Sequence, residues 1–104
     1  MTYILVQKHP TEQKVKLLEF LSQLFSRPIS LEDLTNNPDI HQLENNEKNS
    51  IGIEEAKLFL KTMIYKPFEE KIQVGIIYEA QKLTHEAQNS LLKALEESNN
   101  YSIF

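Results

Sequence analysis

The 104-residue chain contains no cysteine and only two glycines. Without cysteine it can form neither disulfides nor thiolate metal sites, and thiol catalysis is excluded. No apolar run approaches the roughly 18 residues of a membrane-spanning helix. The N-terminal residues also lack the basic and long apolar regions of a secretory signal. We therefore expect a soluble, cytoplasmic protein with no membrane partner.

Basic residues are also scarce. The chain carries 11 Lys and Arg against 15 Asp and Glu, which gives a formal net charge of −4, and its sequence pI is near 5.3. A domain that binds nucleic acid on its own normally has a basic face, so we expect any DNA contact to come through a larger assembly. The length suits one small domain, or part of one, near the lower limit for a three-layer α/β fold.

The clearest structural pattern lies between residues 71 and 97, where a strand, a turn and a long helix follow one another. Residues 74–77 form a short continuous apolar run, which is typical of a strand covered on both faces in a parallel sheet. We predict a central strand over residues 72–79. It presents Tyr78 and Glu79 at its carboxyl end, where open α/β sheets place their ligand crevice.

The helix after this strand is predicted to begin at Thr84, whose side chain can cap its first turn, and to end near Glu97. Glu86 lies in the first turn, where an acid complements the helix dipole. The residues expected on its buried face recur at every fourth position, and they are Ala87, Leu91 and Leu95.

Further elements are predicted around this stretch from hydrophobic periodicity and turn residues. We expect strands at residues 3–6, at residues 39–43 and from residue 101 onward, helices at residues 12–25 and from about residue 53, and a single helical turn at residues 29–34. The apolar stripe of the first helix is Val15, Leu18, Leu21, Leu24 and Phe25. The stripe of the second is Ile53, Ala56, Phe59, Leu60, Met63 and Ile64.

The junction between the first strand and the first helix, residues 7–14, contains no glycine. A P-loop reads G-x-x-x-x-G-K-[ST] at this place, because its backbone N–H groups must approach the phosphates closely. Pro10 removes one donor, and the side chains would crowd that approach. Lys14 is either a remnant of the motif or a solvent-facing helix lysine. The sequence therefore predicts a degenerate phosphate site.

Residues 79–97, EAQKLTHEAQNSLLKALEE, resemble the Walker B region of the clamp-loader AAA+ family, and most closely its delta-prime-type subunits from bacterial DNA polymerase III. The Pro-Asp-apolar-His pattern at residues 38–41 and the helix start SIGI at residues 50–53 also match that family. The resemblance implies a P-loop NTPase-like, three-layer α/β/α fold with a mostly parallel sheet. Family members continue well beyond this length, so residues 1–104 are expected to form an incomplete AAA+ domain.

The same resemblance implies a non-catalytic subunit that supports sliding-clamp loading in DNA replication. Tyr78 stands where Walker B has a Mg²⁺-binding Asp and only Glu79 is retained, so we expect no ATPase activity, no cofactor and no bound metal. The implied partners are the gamma/tau and delta subunits and, through the assembly, the sliding clamp and primer-template DNA. Two alternatives stay open: an ATP-binding P-loop ATPase of DNA metabolism, and a truncated protein-interaction module.

The resemblance also assigns two sets of surface residues. It places Asn89, Lys93 and Glu96 on the helix flank that faces a neighbouring subunit; a plain surface salt bridge from Lys93 to Glu96 or Glu97 is the alternative. It places a second set on the DNA-facing side, for which an ordinary solvated helix face is the alternative. This second set is Ser50, Gly52 and Lys57.

Three further expectations concern single positions. His41 has no partner at metal-ligand or catalytic spacing, so we interpret it as a structural strand histidine. The Tyr78 ring is expected to cap the carboxyl end of the central strand and fill the crevice there, while Glu79 hydrogen-bonds locally. If the sheet ends at the Tyr101 strand, an apolar edge that promotes aggregation is expected.

Overall fold

The structure is a computed structural model, and it describes residues 2–6, 14–44, 50–63, 72–98 and 101–103. The elements in chain order are β1 (Thr2–Val6), α1 (Lys14–Phe25), α2 (Leu31–Asn36), β2 (Ile40–Leu43), α3 (Ile53–Met63), β3 (Gln73–Ile77), a 3-10 turn (Ala80–Lys82), α4 (His85–Ser98) and β4 (Tyr101–Ile103). Strands and helices alternate, as the sequence pattern predicts. No helix in the described part of the chain is long and apolar enough to cross a membrane.

The four strands form one sheet in the order β2-β3-β1-β4, and every neighbouring pair is parallel. In the β1–β3 pair, Thr2 lies opposite Gln73 and Val6 lies opposite Ile77. β3 is an interior strand, and all five of its residues are buried. The predictions of a central strand at this place and of a parallel sheet are therefore confirmed.

Helices cover both faces of the sheet, so the predicted three-layer arrangement is confirmed. We call the two apolar clusters the α1/α2 core and the α3/α4 core. The α1/α2 core contains Leu5, Leu17, Leu21, Phe25, Ile29, Leu34, Ile40, Val74, Ile76 and Tyr78. The α3/α4 core contains Ile4, Leu43, Ile51, Ala56, Phe59, Met63, Ile77, Ala87, Leu91 and Leu95.

The buried face of α1 differs from the predicted stripe. Leu17, Leu21 and Phe25 are its buried residues, whereas Val15 is 70 % exposed. At 100° per residue, Val15 lies about 120° from the centre of the buried face at Leu21, so the predicted stripe was wrong at that position. The remaining predicted members, Leu18 and Leu24, are partly buried against the same core.

Helix α3 packs closely on the central strand. Its buried residues Ala56, Phe59 and Met63 belong to the predicted stripe. The predicted members Ile53 and Leu60 are only partly buried, and Ile64 lies outside the described residues. A Cβ atom on Gly75 of β3 would come within 2.6 Å of Met63 Sδ and 2.7 Å of Phe59 Cζ. The glycine therefore permits the close approach of the helix to the strand.

Helix α4 begins as predicted, because Thr84 Oγ1 accepts a hydrogen bond from the backbone N–H of Ala87 at 3.1 Å. An isolated parallel bridge between Ile51 and Leu83 fixes this start beside the segment that leads into α3. In that bridge, Ile51 N–H donates to the Lys82 carbonyl at 2.6 Å and Thr84 N–H donates to the Ile51 carbonyl at 3.0 Å. The starts of α3 and α4 are therefore held side by side.

Candidate functional site at the carboxyl end of the central strand

Tyr78 directly follows β3, and its side chain is only 3 % exposed. Side chains alternate along a strand, which puts Tyr78 on the same face as Val74 and Ile76, within the α1/α2 core. Its backbone N–H donates to the Leu43 carbonyl at 3.0 Å. Its hydroxyl donates to Gln42 Oε1 at 2.7 Å. The ring is therefore buried at the carboxyl end of the central strand, inside one core.

The Tyr78 hydroxyl stays protonated. Burial, and after it the negative charge of Glu44, raises the pKa of Tyr78 from 10.0 to about 12. At neutral pH the phenol is therefore uncharged and acts as the donor in its bond to Gln42. A neutral phenol is a poor ligand for Mg²⁺, which prefers carboxylate, phosphate and water oxygens.

Glu79 leaves the core immediately after Tyr78. Its backbone adopts the left-handed conformation, with φ 52° and ψ 53°, which is uncommon for a residue other than glycine. Its Oε2 atom lies 2.8 Å from Lys82 Nζ, and the two side chains are 21 % and 23 % exposed. The predicted local bonding of Glu79 is therefore observed, and its carboxylate is engaged by a cation from the adjacent 3-10 turn.

The predicted degenerate P-loop position lies outside the described residues, except for Lys14. Lys14 is the first residue of α1, and its side chain is exposed. Of the two interpretations of this residue, the exposure favours the solvent-facing helix lysine. The degenerate phosphate site stays a prediction from the missing glycines.

His41 lies on β2, in register with Gly75. Its side chain is half-buried, and its Nε2 atom is buried without a hydrogen-bond partner among the described residues. Burial lowers the pKa of His41, and the charge of Asp39 partly opposes that shift. No group of three or more His, Cys, Asp or Glu side chains in the described ranges could hold a metal ion. These surroundings suit the structural role that we predict for His41.

The predicted DNA-facing residues lie near the paired starts of α3 and α4. Ser50 is exposed, Gly52 is half-exposed, and Lys57 is exposed in the second turn of α3. Within the described ranges, no residue other than the chain neighbours of Gly52 has an atom within 4 Å of the place that a Cβ on Gly52 would take. The shallow pocket between the helix starts is lined by Gly52, Ile53, Glu54, Glu55, Thr84, His85 and Glu86. Its three carboxylates disfavour a phosphate backbone directly at this junction.

The predicted subunit-interface residues Asn89, Lys93 and Glu96 are all exposed on α4. Among the described residues of the helix, no salt bridge joins Lys93 to Glu96 or Glu97. Beside this flank, Leu92 is 49 % exposed. Leu92 borders an apolar groove of about 250 Å³ lined by Ile4, Val6, Ile77, Ala80, Leu83, Gln88, Leu91, Leu92 and Leu95.

Gln42 is the site residue that sequence reasoning missed. Its Oε1 atom accepts from Tyr78, and its Nε2 atom donates to the Leu34 carbonyl at 2.8 Å. The available signal was its place two residues after Ile40 on a strand, which puts a polar side chain on a buried face. A polar residue at such a position needs hydrogen-bond partners.

Comparison with known protein families matches residues 26–104 to the family described as "DNA polymerase III, delta subunit". Among solved structures, the fold is similar to that of a DNA polymerase III gamma subunit-related protein from Thermotoga maritima, with a TM-score of 0.70 and 20 % sequence identity. The similarity covers 99 % of this chain and 32 % of the Thermotoga chain, so this chain spans about a third of its length. No curated protein sequence matches the chain.

Proposed function

This chain belongs to the DNA polymerase III delta-subunit family, and from that premise we propose that it acts as a delta-prime-type, non-catalytic subunit of a bacterial clamp loader. In this role it supports loading of the sliding clamp onto primer-template DNA in the cytoplasm. Its direct partners are the gamma/tau and delta subunits, and its DNA contacts are made within that assembly.

The observation that carries the non-catalytic assignment is the state of Tyr78. Phosphoryl transfer from Mg²⁺–nucleotide needs an acid at the end of the Walker B strand to hold the metal. At this position the chain has a buried, neutral phenol whose hydroxyl is already bonded to Gln42. The Glu79 carboxylate, which would orient the attacking water, is paired with Lys82.

The sequence of the P-loop position supports the same assignment. Residues 7–14 contain no glycine, and Pro10 lacks a backbone N–H. A cradle of backbone donors for the phosphates requires both small residues and free N–H groups. The chain therefore lacks two of the parts on which nucleotide hydrolysis depends, and we propose that it binds no nucleotide cofactor.

We place the subunit contact on the α4 flank formed by Asn89, Lys93 and Glu96. These side chains are exposed, and Leu92 beside them is half-exposed. Interfaces commonly combine an apolar centre with a polar rim, which is the composition of this surface. Ser50, Gly52 and Lys57 remain the proposed DNA-facing set. Because Gly52 lines the acidic pocket, we assign the phosphate contact to Lys57, the cation of the three, which lies outside that pocket.

Reconstitution with the gamma/tau and delta subunits of the same organism tests this function. We expect the wild-type protein to co-elute with them, and we expect Lys93→Glu to weaken association by roughly tenfold, because it reverses a charge at the contact. Lys16→Glu is the matched control, since Lys16 is exposed on α1, across the sheet from α4. Failure of the wild-type protein to join the complex would refute the proposal, and ATP turnover by the protein alone would favour the ATPase alternative.

A further inference from the structure

We propose that Gln42 is a positioning residue that latches the Tyr78 side chain into the α1/α2 core and thereby keeps the carboxyl end of β3 closed to Mg²⁺–nucleotide. This inference rests on the proposed function and deepens it. It assigns a role to a residue on a different strand, 36 positions away in sequence.

The latch consists of two hydrogen bonds that use opposite ends of one amide. Tyr78 donates its hydroxyl proton to Gln42 Oε1 at 2.7 Å, and Gln42 Nε2 donates to the Leu34 carbonyl at 2.8 Å. Because an amide oxygen only accepts and an amide nitrogen only donates, the two partners fix the orientation of the amide. The same side chain therefore joins β2, the end of β3 and helix α2.

The Leu34 carbonyl is suited to this role because it lies in the last turn of α2. The last four carbonyls of a helix have no partner within the helix, so they are available to outside donors. Gln42 satisfies one of them while its oxygen faces Tyr78. The Tyr78 hydroxyl, both ends of the Gln42 amide and the Leu34 carbonyl thus all have hydrogen-bond partners, which makes the arrangement rigid.

The latch holds the Tyr78 side chain on the buried face where the alternation along the strand places it. Tyr78 is buried, whereas Glu79, the next residue, turns toward solvent with a left-handed backbone. A buried hydroxyl without an acceptor is unfavourable, so loss of Gln42 favours conformations in which the phenol moves toward water. We therefore expect Gln42 to control the exposure of the Tyr78 hydroxyl.

NMR of the full chain tests the latch through the hydroxyl proton of Tyr78, assigned by its absence in Tyr78→Phe. In the wild type, this proton should exchange slowly with water. In Gln42→Leu, which keeps the bulk but loses both bonds, exchange should accelerate at least about tenfold. In Gln42→Glu, exchange should stay slower than in Gln42→Leu, because a carboxylate still accepts from the phenol although it no longer donates to the Leu34 carbonyl. Gln23→Leu makes the same change at an exposed position of α1 and should have no effect.

Unchanged exchange in Gln42→Leu would overturn the latch. If that variant does not fold, Gln42→Asn replaces it, because its side chain is one methylene too short to reach both partners and should accelerate exchange in the same way. The readout involves neither nucleotide nor partner subunits. A failed latch therefore leaves the proposed function standing, whereas Mg-ATP binding by the wild type would refute the proposed function with the latch intact.

Discussion

Tyr78 is a core residue at the position where the resemblance to Walker B implies that catalysis would require an exposed acid. Its ring is buried in the α1/α2 core and its hydroxyl is bonded to Gln42. An Asp at this position would lose the aromatic packing, and its short side chain would put a charge where the structure has a neutral ring. Tyr78 therefore contributes to stability through packing, and we expect its replacement to destabilise the protein.

Tyr78→Asp should destabilise the protein by about 1–3 kcal/mol, through the lost aromatic burial and the desolvation of an unpaired carboxylate. It should not give ATP hydrolysis, because residues 7–14 contain no glycine and are therefore not predicted to form a phosphate cradle. Urea denaturation measures the first effect and a phosphate-release assay the second. Tyr78→Phe keeps the ring and should cost only about 1 kcal/mol, for the hydroxyl bond. Mg²⁺-dependent turnover in Tyr78→Asp would contradict this account.

His41 should make stability depend on pH. Burial holds the pKa of His41 below the ordinary value of 6.5 in the folded protein. As the pH falls through 6.5, the unfolded chain therefore binds more protons at this residue than the folded protein does. The stabilisation is therefore complete above pH 6.5 and is lost progressively below it. Thermal melts between pH 7.5 and pH 5 should show a smaller decline in His41→Gln than in the wild type. His85→Gln, at an exposed histidine, is the control, and equal declines in all three proteins would refute the role of His41.

The sequence identifies Tyr78 and Glu79 as candidate site residues because they directly follow an apolar run. This signal lies within one short segment of the chain. It does not identify Gln42, because the bond from Gln42 to Tyr78 depends on β2 lying next to β3. That neighbourhood is set by the sheet order β2-β3-β1-β4, which local hydrophobic periodicity does not specify.

At the scale of elements, the helices show where periodicity succeeds and where it fails. In α4 the buried residues Ala87, Leu91 and Leu95 are those predicted. In α1, apolar residues occur on nearly every side of the helix, so the sequence alone does not decide which side faces the sheet. In the structure, Leu17 and Leu21 pack in the α1/α2 core, so the side of α1 that carries them faces the sheet and Val15 is exposed.

The contact of α3 with β3 predicts a difference between the two glycines. Gly75→Ala should cost about 1–2 kcal/mol, because the new methyl group would overlap with the ends of the Met63 and Phe59 side chains. Gly52→Ala adds the same methyl group where, apart from its chain neighbours, no described residue has an atom within 4 Å, so its effect should stay within about 0.5 kcal/mol. Chemical denaturation of both variants measures the difference. Equal effects would contradict the close packing of α3 on Gly75.

At the scale of the whole molecule, the alternation of strands and helices follows from the sequence pattern, whereas the three layers were expected from the family resemblance. The chain is similar in fold to the Thermotoga protein. The apolar groove beside α4 could not be predicted residue by residue, because it combines side chains from β1, β3 and α4. Its position depends on how these elements pack, which no single segment of the sequence determines.

The exposed part of this groove predicts self-association of the isolated chain. Val6 is 41 % exposed and Leu92 is 49 % exposed, and apolar surface of this kind promotes aggregation. Light scattering should show the apparent mass rising with protein concentration, and Leu92→Gln should reduce the rise. Leu58→Gln, at a 65 % exposed leucine of α3 outside the groove, is the control. A monodisperse, cooperatively melting wild-type protein would contradict the prediction.

The central claim, that this family member has no working nucleotide site, is tested most directly by isothermal titration calorimetry of the folded wild-type protein with Mg-ATP. A buried Tyr78 and a P-loop position without glycine predict no detectable heat of binding. A titration that saturates with a micromolar Kd would contradict the claim.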